Sequence, residues 1–123
     1  YGGNEYNIFN FFKNKAYKNE PINVFQNIKR ALIDVNDVAS IVDYCSTQCN
    51  KEILNIVGVE EKYVLNIAYL IINKINSISG INVITKHNQK NHNFNNSNIV
   101  DLAIKDVIIN KDEYTQHIVD KYI

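Results

Sequence analysis

Apolar positions recur at helical spacing along most of the chain, and they are densest between Val59 and Ile78. There Val64, Ile67, Ala68, Ile71, Ile75 and Ile78 follow the i, i+3, i+4, i+7 pattern. A second row, Leu65, Tyr69 and Ile72, widens the apolar face. Only a narrow strip through Lys62, Asn66, Asn73 and Ser77 is polar. A helix this apolar must be covered on most sides. Glu60 and Glu61 in the expected first turn and Lys74 in the last suit the helix dipole. Gly80 stands where a left-handed cap would end the helix.

The flanking segments predict further amphipathic helices. Asn4 is placed to cap a helix from Glu5 to about Lys18, with Ile8, Phe9, Phe12 and Ala16 on one face. Pro21, Phe25, Ile28 and Leu32 are spaced 0, +4, +7 and +11, which predicts a second helix opening at Pro21. Asn36 is the expected cap of a third, carrying Val38, Ile41, Val42 and Cys45, unless the second and third form one bent helix. Asn50 would cap a short fourth with Ile53, Leu54 and Val57, stopped by Gly58. Ile81 to Thr85 is β-branched and fits a short strand, a helical turn or an extended arm. The polar run from Lys86 to Asn98 predicts a mobile loop with Phe94 as its tether. Ser97 or Asn98 would then cap Ile99 to Asn110, with Val100, Ala103, Ile104, Val107 and Ile108 inward. Tyr114, Ile118, Val119 and Tyr122 mark a last helix.

The expected fold is therefore all-α: a bundle of six to seven helices around a central apolar helix at about residues 59–79. The 123 residues suffice for one domain, residues 1–123, with an Asn-rich mobile loop at 81–97. A start at Tyr1 and the lack of Met suggest a fragment of a longer protein. The chain uses 21 Asn and 20 Ile. This bias fits an AT-rich genome, such as that of a parasite or a large DNA virus, and weakens arguments from any single Asn.

Thirteen Lys and Arg balance 13 Asp and Glu, so the formal net charge is zero. That disfavours general binding to nucleic acid or anionic membranes. Lys13, Lys15, Lys18, Lys29 and Arg30 would form a local basic patch if the first two helices packed side by side, with Tyr6 and Tyr17 as stacking faces. No apolar run reaches the roughly 20 residues that span a bilayer.

Cys45 and Cys49 share a helix face at i, i+4, and His87 and His92 have a spacing used in zinc sites. The order C-x3-C, 37 residues, H-x4-H departs from the short intervening segment of zinc fingers. Burial of Cys45 as a small hydrophobe is the stronger reading. These four remain weak metal candidates, and no cofactor is expected. Two cysteines make no disulfide framework and slightly favour a reducing intracellular compartment. A Cys–His nucleophilic pair using His87, His92 or His117 has no supporting motif. Glu60–Glu61 and Asp112–Glu113 have a structural reason to open helices. Gly2–Gly3 precedes no phosphate-loop lysine. Asn95-Asn96-Ser97 is a formal sequon within an Asn-rich run.

With no catalytic constellation, a non-catalytic protein–protein interaction module is expected. It would offer an apolar groove or face to a partner's amphipathic helix. Leu65 to Ile78, ending Lys74-Ile75-Asn76-Ser77-Ile78, resembles the central helix of the Bcl-2-like fold, in particular its viral members. The Asn-Trp-Gly-Arg type signature of the cellular members is absent. The resemblance implies a hydrophobic groove for apoptotic helices or an immune-signalling interface. Zinc or nucleic-acid binding is the further alternative.

Overall fold

The computed structural model describes residues 7–48, 55–85, 96, 98–107 and 112–123. Helix α1 (Ile8–Tyr17) is capped by Asn7, whose side chain accepts the Asn10 N–H at 2.9 Å. The cap expected at Asn4 lies outside the described residues. Phe9, Phe12 and Ala16 form the buried face. Asn19, at φ 54°, turns the chain away. Asparagine tolerates the left-handed region better than most side chains, and Asn27 (φ 64°) and Asn76 (φ 58°) serve the same purpose at two later turns.

The second helix does not form. Its place is taken by strands β1 (Ile22–Phe25) and β2 (Lys29–Ala31), joined through the turn at Asn27. Ile22 and Val24 are buried while Asn23 is exposed, a period of two. Of the residues with helical offsets, Phe25 ends β1, and Pro21, Ile28 and Leu32 lie in the connections around the two strands. β-branched Ile22 and Val24 fit a pleated surface, and the sheet partner they need comes from far along the chain.

Helix α2 (Val35–Gln48) starts ahead of the expected Asn36 cap. Asp34 caps it: its carboxylate accepts the Asn36 N–H at 2.8 Å and its carbonyl the Val38 N–H at 3.0 Å. Of the expected fourth helix, residues 49–54 lie outside the described residues, and residues 55–58 are not helical. Gly58 does not stop a helix. It lets two backbone segments meet, since a Cβ there would lie 2.2 Å from the Leu32 carbonyl oxygen. Gly58→Ala should therefore cost about 1–3 kcal/mol, the usual range for overpacking. Gly80→Ala, where a Cβ meets nothing within 4 Å, should stay within about 0.5 kcal/mol of wild type. Chemical denaturation of both variants checks the contrast.

Strand β3 (Glu61–Tyr63) runs antiparallel to β2, with Lys29 opposite Tyr63, Arg30 opposite Lys62 and Ala31 opposite Glu61. The expected central helix therefore begins late and ends early, as α3 (Val64–Ile75). Its first N–H, on Val64, donates to the Ile28 carbonyl at 2.8 Å. Asn76 closes it in the left-handed conformation that was expected at Gly80. Val64, Ile67, Ala68, Ile71 and Ile72 are buried. Helix α3 is central in one respect: α1, β1 and β3 pack against it, as does α5 (Tyr114–Tyr122).

Ser77 follows α3 and donates its hydroxyl to the Ala16 carbonyl at 2.6 Å, while the Ile78 N–H reaches Asn19 Oδ1 at 3.2 Å. This ties the end of α3 to the end of α1 and aims strand β4 (Ile81–Ile84) alongside β1, in parallel. Helix α4 (Asn98–Val107) packs on α2 and buries Val100, Ala103 and Ile104. The all-α bundle is thus replaced by a mixed α/β architecture. Among the described residues it has five helices and two two-stranded sheets.

Candidate functional site

The two sheets present different edges. Lys29, Arg30, Glu61 and Lys62 charge the β2–β3 ribbon, and charge is a usual means of blunting a strand edge. The β1–β4 sheet has no such protection on β4: no charged residue lies between Lys74 and Lys86.

Backbone bonds fix which way β4 faces. The Ile22 N–H donates to the Gly80 carbonyl at 2.9 Å, and the Gln26 N–H to the Ile84 carbonyl at 2.8 Å. With Ile22 beside Ile81 and Val24 beside Val83, the alternation of a parallel ladder turns Asn82 and Ile84 towards β1. The N–H and C=O groups of Ile81 and Val83 point away from it. Among the described residues, no backbone bond reaches them from the outer side.

Side chains add a second feature. Ile22, Val24, Ile81 and Val83 share the core-facing side of the sheet. Val24 is 1% exposed, yet Val83 beside it is 48% exposed. The core covers Ile22 and Val24, reaches Ile81 and leaves Val83 half exposed. On the other face Asn82 Nδ2 donates to Asn23 Oδ1 at 3.1 Å, and just past the strand ends Thr85 Oγ1 donates to Gln26 Oε1 at 2.9 Å; the two polar pairs pin the register. Ile78, just ahead of β4, is 85% exposed.

A buried polar cluster lies elsewhere, where α5 meets the start of α2. The Asp34 side chain is 3% exposed. It accepts from Lys121 Nζ at 2.6 Å, from the Tyr122 hydroxyl at 2.7 Å and from the Asn36 N–H. Burial pushes its pKa up, but these bonds and the Lys121 charge outweigh it and hold the carboxyl below its usual range. The Tyr114 hydroxyl accepts the Asp34 N–H at 3.0 Å and donates to Asp37. Its own pKa is driven far up, by burial first and by the Asp37 bond. At the other end of α5, Glu60 accepts the N–H groups of Glu113 and Thr115, each at 3.1 Å. Burial again raises its pKa, and the bond from the Thr115 N–H, the Lys62 charge and the Glu113 N–H bring it net downward. Two carboxylates thus clamp one helix. Carboxyls held below their usual range are weak proton acceptors at neutral pH, and the bonds shown by Asp34 and Glu60 go to α5 and to the start of α2.

This clamp sets a pH dependence. Both carboxyls have folded pKa values below the unfolded value of about 4. Their stabilisation is complete above that value and is lost as pH falls through the lower folded values. Thermal unfolding should be flat from pH 8 to 5 in these two contributions and should decline below about pH 4. Asp34→Asn should shallow that decline.

Other expected site residues are dispersed. Cys45 is buried, whereas Cys49, His87 and His92 lie outside the described residues. Among the described residues no group of three or more His, Cys, Asp or Glu is placed to hold a metal ion. His117 is exposed on α5. The expected basic patch is split: Lys13 donates to the Tyr122 carbonyl at 3.0 Å and Lys15 pairs with Glu20 at 2.8 Å. Lys29 instead covers the Tyr63 ring at 4.9 Å, on the other sheet. Tyr6 lies outside the described residues, as do Phe94, Asn95 and Ser97; Asn96 accepts the Val57 N–H. Glu60 and Glu61 do not open α3, and Glu60 caps α5 from 53 residues away. No local signal announces that. No helix among the described residues is long and apolar enough to cross a membrane.

No protein-family model matches the chain, and no curated protein matches it. The likeness to the Bcl-2-like fold rested on one helix. That helix is α3, and the strands before and after it do not belong to an all-helical bundle.

Proposed function

We propose that the chain is a non-catalytic protein–protein interaction module that meets its partner along β4. The supporting observation is the uncharged edge at Ile81 and Val83, which no other strand covers among the described residues and where outward backbone groups and the half-exposed Val83 side chain are offered together. An added strand would satisfy the backbone and extend the core over Val83. The occupant is thus an extended segment, not the amphipathic helix that a bundle groove would take. Exposed edges without charge, proline or a bulge pair readily with another chain.

A photo-crosslinking amino acid at Val83, compared with one at exposed Asp43 on α2, tests this in cells expressing the chain. Covalent adducts are expected from position 83 and not from position 43. Adducts from neither position, or equally from both, would overturn the reading.

A further inference from the structure

The open edge has a self-complementary occupant. Resting on the interaction reading above, we infer that β4 pairs with β4 of a second copy, antiparallel about a two-fold axis, to make a four-stranded sheet in the order β1-β4-β4-β1.

Four observations carry this. First, the outward backbone groups belong to Ile81 and Val83, two residues apart. An axis through Asn82 sets Ile81 of each copy opposite Val83 of the other, so each pair can exchange two backbone bonds. Two-fold pairing of one strand with itself is necessarily antiparallel, and the contact closes without leaving a new edge. Second, nothing in the strand repels its own copy. Self-pairing sets like residues opposite each other, which penalises a charged edge. From Ile75 to Thr85 there is no charge, and the chain's formal net charge is zero. Third, the half-covered Ile81 and Val83 of both copies fall on the same face of the new sheet. The 48% exposure of Val83 is what a neighbouring apolar strand would remove. Fourth, a two-stranded sheet is a marginal unit and four strands are a common size.

The β2–β3 ribbon supplies the contrast. Self-pairing along β2 would bring Lys29 and Arg30 of two copies together, a repulsion that β4 lacks.

Light scattering coupled to gel filtration of the purified chain, across a dilution series, tests the inference. The expected mass is twice the 14.2 kDa of one chain, falling to one on dilution. The N–H that Val83→Pro removes points outward, so no β1–β4 backbone bond is lost. The variant should keep the wild-type circular dichroism spectrum and be monomeric at every concentration where wild type is dimeric. Val83→Thr, which keeps both the N–H and β-branching, should remain dimeric. A wild-type chain that is monomeric up to about 1 mM overturns the second copy as occupant. So does a Val83→Pro chain that dimerises as wild type does. If adducts to a different protein still form from position 83, the interaction reading stands and only the identity of the partner fails. No adducts at all would remove both.

Discussion

Ile71→Asp should abolish cooperative folding of the chain at 25 °C. Ile71 is fully buried on α3, the helix against which α1, α5, β1 and β3 pack. Aspartate there loses the apolar burial and places a carboxylate among hydrocarbon side chains. An uncompensated buried charge and a large-to-small core change each cost several kcal/mol, and their sum is about 5 kcal/mol or more. Domains of this size have only about 5–15 kcal/mol to lose. Ile71→Val is the control, since it removes one methylene and should cost about 1 kcal/mol. Thermal scans by circular dichroism should show a sigmoidal transition for Ile71→Val and none for Ile71→Asp. A wild-type melt for the aspartate variant would take α3 out of the core.

The second large effect belongs to Asp34. Asp34→Ala removes the cap of α2 and the common acceptor of Lys121 and Tyr122 together. A lost cap costs about 1 kcal/mol, and breaking a buried charged hydrogen-bond network adds about 2 or more. The midpoint of thermal unfolding should fall by about 10 °C. Lys121→Met should cost less, because it leaves Asp34 with the Tyr122 hydroxyl and the Asn36 N–H. The order of the two midpoints is decisive. Equal and small losses would mean that α5 is held by packing alone.

Local signals found the helices whose buried faces follow 3.6 residues per turn. Phe9, Phe12 and Ala16 in α1, Ile41 and Cys45 in α2, and Val100, Ala103 and Ile104 in α4 are buried as their spacing predicts. In α5, Tyr114, Ile118 and Val119 are too. Strands β1, β2 and β3 were hidden because they are three or four residues long, too short for a period of two to stand out; at β4 the β-branched run Ile81 to Thr85 had a short strand among its alternatives. Their partners are also distant: β1 meets β4 59 residues later, with Ile22 beside Ile81. In the central stretch the apolar pattern continues through Ile78, but the helix stops at Asn76. What ends it is a left-handed asparagine, in a chain where asparagine is too common to serve as a signal.

The candidate site was less legible still. The sequence directs attention to Cys, His and paired carboxylates, the residue types that carry chemistry. The edge strand is made of Ile, Asn and Val, which fit a short strand, a helical turn or an extended arm equally well in sequence and carry no chemistry of their own. Only the pairing of β4 with β1 tells that Val83 lies beyond the cover that Val24 enjoys. Asp34 and Glu60 escaped for a related reason, since each acts on α5 across more than fifty residues of chain.

Amide hydrogen exchange along β4, followed by NMR at low and high protein concentration, tests the docking edge most directly. In dilute protein, Asn82 and Ile84 should exchange slowly and Ile81 and Val83 fast, because only the first pair is bonded to β1. At concentrations that favour association, Ile81 and Val83 should slow by at least about tenfold. Four fast amides would contradict the strand, and an alternation unchanged by concentration would contradict its closure by a second copy.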